Sequence, residues 1–222
     1  MLTLREKIEE SLSVLQYACD TFGDSLAMTF SGGKDSLVAL HLLRTLLSGT
    51  VPYPVFSIDT GVKFPETVKF RDEISRDWQL RLVVIRNAAP PATLKIAADK
   101  KACCQALKIE PLRQAIVAHD LQALITAIRW DESEARAHEV QIAAKDNPPH
   151  TRIQPLLHFT EADVWDYIHA FGLPYCPLYD QGYRSLSCMP CTSRDPGSAQ
   201  ERGGRAKEKE AIMEELRLLG YF

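Results

Sequence analysis

Thr29-Phe30-Ser31-Gly32-Gly33-Lys34-Asp35-Ser36 joins two segments of opposite character. Upstream, Ser25 to Phe30 is short and apolar and is bounded by Gly23-Asp24. Downstream, Leu37, Leu40, Leu43 and Leu46-Leu47 recur at helical spacing. The motif therefore lies where a strand turns into a helix. Two glycines there permit backbone angles that other residues resist and let a ligand approach the main chain. The first turn of the helix offers unpaired N–H groups and the positive end of the helix dipole. Ser31 and Ser36 add hydroxyls and Lys34 a cation, so the stretch reads as a cradle for a nucleotide phosphate. It is not the Walker loop, which places four residues between its first Gly and its Gly-Lys pair.

Around this centre the 222 residues suit a single domain. Residues 1–23 form an N-terminal helix, 24–193 a nucleotide-binding α/β core and 194–222 a charged tail with a closing helix. A 45% apolar fraction is enough for a full core. The net charge of −3 gives no global basic field for nucleic acid. Met1 to Lys7 carries charge early and does not read as a signal peptide, and no stretch approaches the ~18 apolar residues of a membrane span. A cytoplasmic location is expected. The six cysteines, Cys19, Cys103, Cys104, Cys176, Cys188 and Cys191, are then expected to be reduced. Cys103-Cys104 and Cys188-x-x-Cys191 read as metal or redox groups.

Residues 3–22 place Leu4, Ile8, Leu12, Leu15 and Cys19 on one helical face. After the motif helix, Pro54 to Asp59 reads as the second strand, parallel to the first because a helix connects them. It ends at Asp59-Thr60-Gly61, which the shared carboxyl rim places beside the phosphate loop. A helix from Pro65 to about Trp78 and a strand from Arg81 to Ile85 follow. A helix is expected around 110–119 and a buried strand over Ala123 to Ile128. The charged cluster Arg129-Trp130-Asp131-Glu132-Ser133 comes next, with Arg129 expected to bind an anion at the rim. Asp146 to His150 reads as a loop, Arg152 to Leu156 as a short strand, and Thr160 opens a helix ending at Gly172. The stretch Leu173 to Thr192, with its prolines, Gly182 and three tyrosines, reads as an ordered functional loop. The tail runs through Arg194-Asp195-Pro196-Gly197 to an amphipathic helix and Tyr221-Phe222.

The first motif resembles the SGGxDS loop of the ATP-pyrophosphatase superfamily. With Ile58-Asp59-Thr60-Gly61, Phe64-Pro65-Glu66-Thr67, Arg129 to Ser133, and Pro177 to Ser185 running on to Cys188-x-x-Cys191, residues 24–193 resemble the phosphoadenosine-phosphosulfate reductase family. That family includes adenylyl-sulfate reductases and the small subunit of the two-subunit sulfate adenylyltransferase. The resemblance implies a doubly wound parallel sheet of the adenine nucleotide alpha hydrolase-like type. It implies that Ser31, Gly32, Gly33, Lys34, Asp35 and Ser36 hold phosphate or adenylyl sulfate. Asp59 and Gly61 would line the nucleotide site, Arg129 would meet the anionic end, and Lys34, Arg129 and Arg184 would stabilise the leaving group. It also implies that Cys103, Cys104, Cys188 and Cys191 carry one [4Fe–4S] cluster, four-cysteine zinc or free thiols being the rivals.

Three functions compete on these residues. In an adenylyl-sulfate reductase, a thiol attacks the sulfur of adenylyl sulfate or its 3′-phosphorylated form, and a thioredoxin-type reductant releases sulfite. The family's reductases carry the attacking cysteine in a C-terminal Glu-Cys-Gly-Leu-His context, whereas no cysteine follows Cys191 here. The reductase reading then leaves Cys19, on a helix face, and Cys176, which is either a packed residue or the substitute thiol. An adenylyl transferase would instead use ATP with Mg²⁺ on Asp35 and Asp59 and a GTPase partner. A nucleotide sensor would keep the iron–sulfur centre without turnover. Homo-oligomerisation is left open.

Overall fold

The computed structural model describes residues 2–195 and 197–221, so Met1, Pro196 and Phe222 lie outside the described residues. Six strands form one sheet: β1 (Leu26–Thr29), β2 (Pro54–Ile58), β3 (Arg81–Ile85), β4 (Ala123–Ile125), β5 (Ile142–Asp146) and β6 (Pro149–Ile153). Their spatial order is β3-β2-β1-β4-β6-β5. All neighbours are parallel except β5 and β6. The antiparallel edge corrects the expected loop at 146–150: that region is the turn of a hairpin, and the last parallel strand begins at Pro149, three residues before the expected Arg152. The exposed–intermediate alternation of β5 suits an edge with one face in solvent.

Among the described residues eight helices accompany the sheet: α1 (Leu4–Phe22), α2 (Lys34–Leu46), α3 (Pro65–Asp77), α4 (Lys100–Cys104), α5 (Glu110–Ala118), α6 (Glu161–Ala170), α7 (Lys207–Glu210) and α8 (Met213–Leu218). A π-helical turn, Gln105–Ile109, joins α4 to α5, so Cys103-Cys104 lies inside a helical run rather than ahead of one. Thr3 starts α1 and Thr160 starts α6 through reciprocal capping boxes with Glu6 and Asp163. Among the described residues no helix is long and apolar enough to cross a membrane.

Strand alternation divides the core. Leu26, Met28 and Phe30 point into the larger core with Leu15, Leu37, Leu40 and Ile168, whereas Ala27 faces the opposite core with Phe56, Leu112, Ile116 and Leu124. The central strands β1, β2 and β4 are buried on both faces, which explains their near-continuous apolar runs. The chain leaves β1 toward β2 and β3, then returns to the other side of β1 for β4. The loops after β1 and β4 therefore diverge at a topological switch point, where open α/β sheets form a ligand crevice.

Candidate functional site

A cleft of about 240 Å³ opens at this switch point. One wall is the loop from Thr29 to Ser36. Gly32 has φ +81°, and a Cβ there would stand 2.9 Å from both Cγ2 and the carbonyl oxygen of Thr67, so a glycine is required. The Ser36 hydroxyl accepts the Ser31 N–H at 3.2 Å, and the Ser31 hydroxyl accepts the Gly33 N–H at 3.2 Å. The Lys34 N–H donates to the Tyr179 hydroxyl at 2.9 Å. Tyr179 thus fastens the 173–192 segment onto the first turn of α2.

Several expected site residues take different roles. Lys34 is 1% exposed rather than open at the rim. Its ammonium donates to Glu201, to Asp35 at 3.4 Å and to the Arg184 carbonyl at 3.2 Å. Arg129 is 0% exposed and bonds Asp35 at 2.6 Å, Asp131 and Glu201, so its guanidinium is spent on carboxylates beneath the loop. Burial works against the Asp35 charge, but Lys34 and Arg129 hold its carboxyl well below the usual range. Burial and the neighbouring Asp35 push Glu201 up. The Arg184 side chain turns away to Glu161 at 2.5 Å and to the Ser198 carbonyl at 2.6 Å. Asp59 accepts from the Gly61 N–H at 2.8 Å and from Arg86 at 2.6 Å, and both Asp59 and Gly61 line a neighbouring groove.

Of the two alternatives for Cys176, the structure has the packed residue. It is 0% exposed in the larger core, with Thr67 Oγ1 3.9 Å from its sulfur. Burial pushes its thiol up, the opposite of nucleophile activation.

The sequence reading missed most of the cleft's cations. Lys63, Lys108, Arg152 and Arg205 all line it; the acceptors are hydroxyls, carbonyls and an imidazole, and, against burial, Lys108 with Lys209 pushes the Tyr221 phenol down to about 7. Lys63 donates to the Ser31 carbonyl at 3.3 Å. Lys108 donates to Ser187 Oγ at 3.1 Å and to the Tyr221 hydroxyl at 3.0 Å. Arg205 donates to Ser185 Oγ and to the Leu186 carbonyl at 2.6 Å. No carboxylate salt bridge reaches these four among the described residues. Their recruitment depends on chain segments far apart in sequence, so no local spacing announces them. Burial pushes Arg152 and Arg205 down to about 10 and Lys63 to about 8. The tail closes this side: the Leu219 carbonyl accepts from Arg113, the Gly220 carbonyl from Arg152, and the Tyr221 hydroxyl from Lys108 and Lys209.

A second cavity, about 10 Å³, adjoins the cleft through Lys108, Ser187 and Cys188. Cys103, Cys104, Cys188 and Cys191 all line it, brought there by α4, the π-turn and the turn Met189–Cys191. All four are free thiols, and Lys100, Lys108 and Lys209 share the lining. Burial alone would raise the Cys188 thiol, but Lys108 and the Thr60 hydroxyl bring it below its ordinary value. Among the described residues, the one group of three or more metal-ligating atoms within 4.8 Å of each other is Asp35, Glu132 and Glu201. Lys34, Arg129, Arg136 and Arg202 already pair these carboxylates. Asp59 is likewise paired with Arg86, so the residues expected to hold Mg²⁺ do not suit a further cation.

Residues 25–194 match the phosphoadenosine phosphosulfate reductase domain. The chain is 32% identical over 209 residues to an adenosine 5′-phosphosulfate reductase of Salinibacter ruber, covering 89% of this chain and 80% of that protein. It is 29% identical over 212 residues to adenosine 5′-phosphosulfate reductase 2 of Bacillus subtilis, covering 91% and 87%. Among solved structures, the phosphoadenylyl-sulfate reductase of Candida auris in its phosphate complex superposes with a TM-score of 0.65 at 22% identity, covering 85% of this chain and 97% of that one. The U34-tRNA thiolase NcsA of Methanococcus maripaludis, solved with its [4Fe-4S] cluster, has a TM-score of 0.57 at 18% identity, covering 97% and 74%. These two structures share the fold. On the extent of the domain match and the identity to the Salinibacter protein, the chain belongs to the phosphoadenosine phosphosulfate reductase family.

Proposed function

We propose that this protein is an adenylyl-sulfate reductase of sulfur assimilation. The observation that carries the reading is the set of four cleft cations, Lys63, Lys108, Arg152 and Arg205, that no carboxylate pairs among the described residues. Arg152 is buried and the other three are half-buried, cations without a carboxylate partner are costly there, and an anionic substrate supplies the missing charge. The glycine loop receives the phosphate end of the nucleotide at the start of α2. Lys108 and Arg205 face the sulfate end.

A thiolate forms a bond to the substrate sulfur while the bond from that sulfur to the AMP phosphate oxygen breaks. AMP departs with the electron pair. A second thiol displaces sulfite from the resulting thiosulfonate, leaving a disulfide. Sulfur gains two electrons and the two thiols lose them, with a thioredoxin-type dithiol as donor. Lys63 and the glycine loop neutralise charge that builds on AMP, and Lys108, Arg152 and Arg205 neutralise charge on the sulfonate oxygens.

The four rim cysteines fit a [4Fe–4S] cluster, one thiolate per iron. Among the described residues no three of their sulfurs lie within 4.8 Å of one another, whereas the thiolates on one tetrahedral zinc stand ~3.8 Å apart, a figure that follows from Zn–S bonds of ~2.3 Å. When bound, the cluster supplies an electrostatic influence beside the sulfate end. Lys100, Lys108 and Lys209 offset the negative charge of the thiolates.

The test is anaerobic incubation with adenylyl sulfate, its 3′-phosphorylated form, or ATP plus sulfate. Sulfite from either sulfated nucleotide supports the reading, and the faster one identifies the substrate. Pyrophosphate from ATP plus sulfate, without sulfite from the others, replaces it with adenylyl transfer.

A further inference from the structure

Two polar atoms on the floor of the cleft have no hydrogen-bond partner: Arg152 Nη1 and Thr126 Oγ1. Both residues line the cleft and both are buried, Arg152 at 3% exposure and Thr126 at 6%. The sheet explains why they converge. Arg152 pairs with Leu124 across β4 and β6, and Thr126 follows Leu124 by two residues, so all three share the face toward α5.

The rest of the Arg152 guanidinium is fixed but not neutralised. Its Nε donates to His150 Nε2 at 3.2 Å, and its Nη2 donates to the Gly220 carbonyl at 3.0 Å. Since His150 Nε2 accepts there, the ring's proton sits on Nδ1, which donates to the Pro148 carbonyl at 2.7 Å. His150 is thereby a neutral brace. Two of the three guanidinium nitrogens are used for aiming, and the third is left over. A buried donor without an acceptor is unfavourable, and more so when it carries charge. Threonine Oγ1 can donate to the same acceptor group. Apolar Leu112 and Ile128 flank the floor, which excludes water and strengthens an ionic hydrogen bond.

We propose that Arg152 and Thr126 form an oxyanion subsite for the sulfonyl oxygens, on the floor of the cleft beside the start of the glycine loop. It holds the sulfate end of the substrate and then the sulfite product. The proposal rests on the reductase reading, but it assigns to these two residues a discrimination that the loop does not make. AMP has no sulfonyl group and does not use the floor. A charge-assisted hydrogen bond and a hydroxyl bond are lost together when the sulfonyl group is missing, which favours the sulfated nucleotide over AMP.

The experiment measures binding of AMP, adenylyl sulfate and sodium sulfite to the anaerobically purified protein, using wild type, Thr126→Val and Arg152→Lys. Thr126→Val preserves shape and removes the hydroxyl; Arg152→Lys keeps charge and removes the fork. Both variants are expected to bind AMP as wild type does and to lose about tenfold in affinity for adenylyl sulfate and for sulfite, the scale of one hydrogen bond to a charged group. An equal loss for AMP and adenylyl sulfate would make the residues structural and overturn the proposal, as would unchanged affinity for all three. A loss for adenylyl sulfate with sulfite unaffected would overturn the product half. If wild type binds AMP but neither adenylyl sulfate nor sulfite, both the subsite and the reductase reading fall. If it binds the sulfated ligands and the variants do too, only the subsite falls.

Discussion

Arg129 Nε lies 2.6 Å from the Asp35 carboxylate, and the arginine side chain is entirely withdrawn from solvent. The loop that reads as a phosphate cradle therefore stands on a buried ionic layer. Asp35, Glu132 and Glu201 supply its negative groups, and Lys34 and Arg129 join Asp35 and Glu201 directly. Glu201 comes from the tail, so the layer ties residues 201–221 to the first turn of α2. Removing one member leaves the others charged and dry. Arg129→Ala and Lys34→Ala are each expected to lose about 3–5 kcal/mol of stability. Urea unfolding of the anaerobic protein measures this; a midpoint within error of wild type would show that the layer is solvated.

Lys63 sets a pH dependence for nucleotide binding. Burial and the nearby Lys108 push its ammonium down to about 8. Below that pH Lys63 is cationic and attracts the nucleotide; above it the side chain is neutral and the attraction is lost. Affinity for adenylyl sulfate is expected to fall about tenfold between pH 7 and pH 9, the change in protonated fraction for such a group. Lys63→Gln should bind more weakly at pH 7 and show a flatter profile. Parallel profiles for the variant and wild type would assign the titration elsewhere.

Cys176→Ser should leave sulfite formation intact and lower stability by about 1–3 kcal/mol, the cost of burying a hydroxyl with poor partners. Its position among Leu178, Phe64 and Tyr167 in the larger core is the reason. Loss of turnover with unchanged stability would return Cys176 to the role of attacking thiol. Mass spectrometry after adding adenylyl sulfate checks the same point, since no sulfonate adduct on Cys176 is expected.

Protein purified without oxygen should be brown and hold about four irons and four sulfides per chain. Substituting Cys103, Cys104, Cys188 or Cys191 should bleach it, and Cys19→Ser should not. Colourless protein with one zinc would contradict the cluster.

Local sequence pattern carried much of this architecture. The apolar run before Ser31 and the leucines after Ser36 fixed the strand–loop–helix unit, and Arg81 to Ile85 appears as the strand its bounds suggested. The antiparallel β5 was not legible because Ile142–Asp146 alternates weakly in sequence and three of its five residues are exposed. Cys103-Cys104 and Cys188-x-x-Cys191 were legible as close pairs, and the fold brings both pairs to one cavity. Arg129 and Arg184 misled because a cation near a rim in sequence does not reveal which carboxylate reaches it first. Glu201 captures one and Glu161 the other, from 72 and 23 residues away. Arg152 was hidden for the opposite reason: on a strand otherwise read for its core face, nothing nearby marks it as a cleft residue.

The most direct measurement of the central claim is the product ratio when the anaerobic protein is given adenylyl sulfate and a reduced dithiol protein of the thioredoxin class. The account predicts AMP and sulfite in equal amounts, with one dithiol oxidised to disulfide for each sulfite formed. AMP released with sulfate in place of sulfite, and with the dithiol still reduced, would show hydrolysis and contradict it.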